Sequence, residues 1–113
     1  MSGHPVIELA GRPVGPDHPP LAVPEIGINH AGSMEKARRM VHDAARAGAE
    51  IVKFQTHIPS AEMVPNDVVP GNETRSIWDI ISEAVLSADE ERALKAEAEE
   101  LGMAFLSTPF SRE

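Results

Sequence analysis

No cysteine occurs in the 113 residues, which excludes disulfides and thiolate chemistry and fits a reducing compartment such as the cytoplasm. No apolar run approaches the length needed to cross a bilayer, and the opening Met1-Ser2-Gly3-His4-Pro5 lacks the basic-then-apolar order of an export signal. Positive charge is scarce too. Ten Lys and Arg against eighteen Asp and Glu leave a formal net charge of -8, a poor match to a nucleic-acid backbone. Also missing are histidines at ligand spacing: His30 and His57 have no ligand-spaced partner, and His4, His18 and His42 read as surface residues. A soluble, unexported protein is expected, with neither nucleic acid nor membrane as a partner. What is present is ordinary for a globular chain, 42% hydrophobic and 25% charged. The length suits one small domain.

The rest is organised around Ala49-Glu50-Ile51-Val52-Lys53-Phe54-Gln55-Thr56. Its β-branched run predicts a short strand buried on both faces, and Gly48 before it predicts a helix stop. Polar groups appear only where the strand runs out. In parallel α/β architectures ligands bind at the carboxyl ends of strands, which places Lys53 and Gln55 where chemistry is expected; a solvated lysine at a strand edge has the same spacing.

Taken in order, residues 1–20 are rich in proline and glycine. Val6-Ile7-Glu8-Leu9 followed by Gly11-Arg12-Pro13 predicts a small hairpin or lid packed on a larger body, with a disordered arm as the alternative. Residues 21–28 form a second strand candidate that carries Glu25, a carboxylate costly to bury without a partner. A tight loop, Asn29 to Ser33, leads to a helix capped by Ser33, with Ala37, Met40, Val41 and Ala44 at helical spacing. Strand, loop, helix, strand makes a parallel βαβ crossover. A long connection from Thr56 to about Arg75 follows. Ile77, Ile80, Ile81, Ala84 and Val85 then mark an amphipathic helix on which Trp78 is a packing anchor. The next helix opens with a capping box, Ser87 to Glu90, and ends at Gly102. Met103 to Ser107 reads as a third buried strand, again ending in small polar residues. Three strands with polar groups at the same end predict the opening of a (β/α)8 TIM barrel, about three βα units of a fold that takes about 250 residues. The expected division is a hairpin or arm over 1–20 and a partial barrel domain over 21–113; a small free-standing three-layer α/β domain is the alternative.

Glu25-Ile-Gly-Ile-Asn-His-x-Gly-Ser, Val52-Lys-Phe-Gln-Thr, Pro70-Gly-Asn and Gly102-Met-x-Phe-x-Ser-Thr-Pro-Phe-Ser occur in this order from residue 21 onward. The ordered set resembles the N-terminal third of the sialic acid (N-acetylneuraminate) synthases, including the relatives that make legionaminic and pseudaminic acids. The resemblance implies condensation of phosphoenolpyruvate with an N-acetylated hexosamine, typically N-acetylmannosamine, to give a nine-carbon 2-keto acid and phosphate. It implies Lys53 as a charge contact to phosphoenolpyruvate and Thr108 as a hydrogen-bond donor to its phosphate. Glu25 would orient the sugar or act on the aldehyde oxygen or water. Asn72 would bind sugar hydroxyls, or else be a turn residue. Gln55, Asn29, Ser107 and Phe110 would line the site or serve as scaffolding. The implied Mn2+ or Mg2+ would take its ligands from later strands, and the complete enzyme would be a homodimer. Those later strands and the family's C-terminal antifreeze-like domain are absent here, so the 113 residues alone are expected to be inactive. Two other readings stand: an aldolase in which Lys53 forms a Schiff base, and a truncated, non-catalytic paralogue.

Overall fold

The computed structural model describes residues 3–113. Strands β1 (Ile7–Leu9) and β2 (Arg12–Val14) form an antiparallel hairpin, the element expected from the turn at Gly11. Arg12 ties it to the body. Its Nε pairs with Glu50 Oε2 at 2.9 Å, and its Nη2 donates to the Pro19 and Pro20 carbonyls. Glu50 immediately precedes the strand that starts at Ile51. The hairpin therefore attaches at the amino side of that strand.

The body is a three-stranded parallel sheet, β3 (Glu25–Gly27), β4 (Ile51–Thr56) and β5 (Ala104–Pro109), with β4 in the centre. Helix α1 (Met34–Arg46) joins β3 to β4. Short α2 (Pro59–Glu62), α3 (Ile77–Glu83) and α4 (Ala88–Glu100) lie between β4 and β5. Ser33 caps α1 by accepting from the Lys36 N–H, and the Ser87–Glu90 capping box is formed in both directions. Helices α1 and α4 end alike. Gly48 (φ +86°) and Gly102 (φ +83°) turn left-handed, and the next residue donates back five positions, Ala49 to Ala44 and Met103 to Ala98, the Schellman arrangement.

Alternation along β4 decides the layers. Val52 and Phe54 are buried with Ala37, Val41 and Ala44 of α1 and Leu94 and Ala98 of α4. Both helices thus cover one face, and Lys53 and Gln55 point to the other. Helices on a single face of a parallel sheet, with Lys53, Gln55 and Thr108 on the opposite face, make an arc of a TIM barrel rather than a doubly wound sheet.

Some boundaries differ from expectation. The strand expected over 21–28 shrinks to Glu25–Gly27, because Pro24 contributes only its carbonyl, to the Lys53 N–H, and a register shift interrupts the ladder between Glu25 and Gly27. The third strand begins one residue later than expected and runs on to Pro109. Val85 lies outside α3 and is exposed, since the helix closes at Ala84. Trp78 is half-buried on α3.

Candidate active site

Strand register brings Glu25, Lys53, Gln55 and Thr108 onto one face; Gln55 and Thr108 are next to last in β4 and β5, whereas Glu25 opens β3 and Lys53 is third in β4, so the expected strand-end placement of these two is corrected. Register places Glu25 beside Lys53 and Gln55 beside Thr108. In a parallel ladder such partners share a face. Lys53 Nζ meets Glu25 Oε2 at 2.9 Å, with both side chains over a third exposed. A pair so wet contributes about 0–1 kcal/mol to stability, too little to account for a charge pair in the middle of a sheet. Gly27, at φ +57°, admits no side chain here without crowding: an added Cβ would stand 3.2 Å from Glu25 Oε1 and 3.5 Å from Gln55 Nε2.

His57, for which no metal partner at ligand spacing was expected, is buried and held on both sides. Its Nδ1 lies 2.7 Å from Glu62 Oε1 and its Nε2 2.9 Å from Gln55 Oε1, both within hydrogen-bond distance. Phe110 stacks on the ring with centroids 4.3 Å apart. The structure therefore joins Gln55 and Phe110 through a histidine. The signal for this was the Pro59 that starts α2 and returns Glu62 to His57 within five residues.

Ser107 goes elsewhere. It pairs in register with Phe54, so it points toward the helices, where its hydroxyl donates to Thr56 at 2.6 Å and Thr56 donates to Glu91 Oε2 at 2.9 Å. Burial raises the Glu91 carboxyl above its ordinary range, an effect opposed by the Thr56 bond and by nearby His57. Thr56, His57, Pro59, Leu86 and Glu91 line a cavity of about 410 Å³ on this side. Asn72 is exposed at a turn closed by the Glu73 N–H on the Pro70 carbonyl at 3.0 Å, within the long connection. Asn29 spends its amide on the Ile26 carbonyl at 2.9 Å. His30, 1% exposed, accepts the Gly32 N–H at Nδ1 and stacks on Phe54, and burial lowers its pKa below the usual 6.5. Among the described residues no three His, Asp or Glu side chains gather in a way that could hold a metal ion.

A profile of the NeuB family matches residues 40–113, which include β4, α4, β5 and the Lys53–Thr108 face. The chain belongs to the NeuB family. Among NeuB relatives, N,N'-diacetyllegionaminic acid synthase of Legionella pneumophila is 29% identical over 111 residues, covering 90% of this chain and 30% of the synthase. Human N-acetylneuraminate-9-phosphate synthase is 47% identical over 45 residues, 40% of this chain and 12% of that protein. The crystal structure of the N-acetylneuraminic acid synthetase of Leptospira borgpetersenii superposes with a TM-score of 0.82 at 26% identity, over 96% of this chain and 35% of that one. The chain thus spans about 30% of the length of the curated legionaminic acid synthase it matches. Function of the sialic, legionaminic or pseudaminic acid synthase type, in carbohydrate biosynthesis, is what these relatives share. No helix among the described residues is long and apolar enough to cross a membrane.

Proposed function

We propose that these residues form the phosphoenolpyruvate-binding sector of a synthase that condenses phosphoenolpyruvate with an N-acetylated hexosamine such as N-acetylmannosamine. The observation that carries the reading is the Glu25–Lys53 pair across adjacent parallel strands, with Gln55 and Thr108 on the same face. Phosphoenolpyruvate carries a carboxylate and a phosphate, and fixed donors of this kind recognise both. Lys53 supplies the ammonium and Thr108 a hydroxyl donor. When the anion arrives, Lys53 can exchange Glu25 for it, which frees the carboxylate to orient the acceptor aldehyde or the attacking water. In the reaction C3 of the enol attacks the aldehyde carbon, water adds at C2, and phosphate leaves. Mn2+ or Mg2+ would be ligated by residues outside this segment, in a cytoplasmic homodimer. Asn72 would reach the sugar from the long connection.

Legionaminic-type acceptors are the second reading, favoured by the match to the Legionella synthase over nearly the whole chain. A Schiff-base aldolase is less well supported, since attack on a carbonyl needs a free amine and Lys53 is engaged by a carboxylate.

The test is phosphate release by the protein of full family length, given phosphoenolpyruvate, Mn2+ and either N-acetylmannosamine or its 2,4-diacetamido counterpart, with the 2-keto acid identified by mass. Lys53→Met should lower kcat/KM by about a hundredfold or more, and Thr108→Val by about tenfold. Wild-type protein that releases no phosphate with either acceptor, or an unimpaired Lys53→Met variant, would overturn the proposal.

A further inference from the structure

Behind the ion pair lies a buried chain of side chains. Glu62, whose side chain is 6% exposed, accepts from His57 Nδ1 with one oxygen and from the Ile58 N–H at 3.2 Å with the other. The opposite ring nitrogen lies 2.9 Å from Gln55 Oε1, which it holds as a donor when both ring nitrogens carry a proton, and Phe110 lies flat on the ring. Burying a carboxylate and an imidazole is costly, and here both carboxylate oxygens and both ring nitrogens have partners. The product of that arrangement is a fixed amide. An amide whose oxygen is held turns its NH2 the other way, and Gln55 Nε2 lies 3.5 Å from the Cβ position at Gly27, beside Glu25 Oε1.

We propose that His57, seated by Glu62 and Phe110, is a positioning residue that locks the Gln55 amide with its NH2 presented to an anionic substrate beside Lys53. Released from His57, the amide can rotate by half a turn and present its oxygen instead, which repels an anion. The relay thus makes the face a set of donors, Lys53, Gln55 and Thr108, with Glu25 as its acceptor. His57 and Glu62 act through Gln55. The identity of the anion rests on the phosphoenolpyruvate reading; the orientation of the amide does not.

Two measurements separate the two. A long-range 1H–15N correlation spectrum of the chain should show a proton on His57 Nε2; a bare Nε2 accepting from the Gln55 NH2 overturns the relay. In the synthase assay, His57→Phe keeps a stacked ring and removes both donors, and should raise KM for phosphoenolpyruvate about tenfold with kcat within about threefold. His57→Gln, which returns a donor near the Nε2 position, should recover most of the loss. An unchanged KM in His57→Phe, or a His57→Gln variant no better than it, also overturns the proposal. Wild-type protein without synthase activity would sink the proposed function alone. The ring-nitrogen spectrum then decides the relay, as it does where His57→Phe fails to fold.

Discussion

Two titratable residues, His30 buried and Glu91 half-buried, give the stability of this chain opposite slopes with pH. Burial disfavours the cation of His30, so the unfolded state binds more protons, and the His30 contribution is lost as pH falls below about 6.5. Glu91 is shifted the other way. The folded state binds more protons at this carboxyl, and its contribution is lost as pH rises above about 4.5. Urea unfolding between pH 4.5 and 7.5 should show Glu91→Gln gaining stability relative to wild type as pH rises, because a neutral amide oxygen still accepts from Thr56. His30→Asn, which can accept the Gly32 N–H in the same way, should be less stable overall but lose less stability between pH 7.5 and 5.5. Parallel curves for wild type and either variant would contradict the assignment for that residue. At this scale the sequence was legible where a charge interrupts an apolar run, as Glu25 and Lys53 do, but not in where along the strand it falls: Glu25 opens β3 and Lys53 is third in β4. It was opaque where a side chain's face depended on register. Ser107 and Thr108 are neighbours of similar chemistry, and only pairing with Phe54 and Gln55 sends one toward the helices and the other to the polar face.

Among the elements, glycine positions separate conformational strain from collision. Gly32 adopts φ +77°, and an added Cβ would stand 2.2 Å from the Glu83 carbonyl at the end of α3. Gly48 adopts φ +86° with open space around it. Gly48→Ala should therefore cost about 1 kcal/mol, the strain of a left-handed alanine. Gly32→Ala must also push α3 from the loop after β3, and should cost at least about 3 kcal/mol. Chemical denaturation of the two variants checks the difference, and equal losses would mean that the loop yields without moving α3. Helices α1 and α4 could be read from their caps, since Ser33, Ser87, Gly48 and Gly102 are local signals that tertiary contacts reinforce. Strand β3 could not be read closely. Its apolar flanks look like strand, but Pro24 lacks an N–H and the interruption at Gly27 is a property of the pair, not of the segment.

Taken whole, the molecule is more extended than its length requires. Its radius of gyration is 16.6 Å, against about 13 Å for a compact chain of this size, and Val6, Ile7 and Leu9 of the hairpin region are exposed. The ion pair that joins hairpin to body, Arg12–Glu50, has its carboxylate half-exposed and is worth about 1 kcal/mol or less. Deleting residues 1–18 should therefore change unfolding free energy by no more than about 1 kcal/mol, measured by urea titration of both lengths. A larger loss would place part of the core in the hairpin. The barrel arc itself was legible because three strands shared a polar end, and the side of attachment of the hairpin was not, since it depends on one long-range pair.

Strand order in the sheet follows strand order in the chain, β3, β4, β5. On a ribosome this lets the sheet grow by addition at its newest edge: β4 can dock on β3 as soon as α1 has emerged, and β5 on β4 after α4, with no later strand needing to wedge between two already joined. Synthesis and assembly can then run in the same direction, and a pause in translation leaves a shorter sheet rather than a misthreaded one.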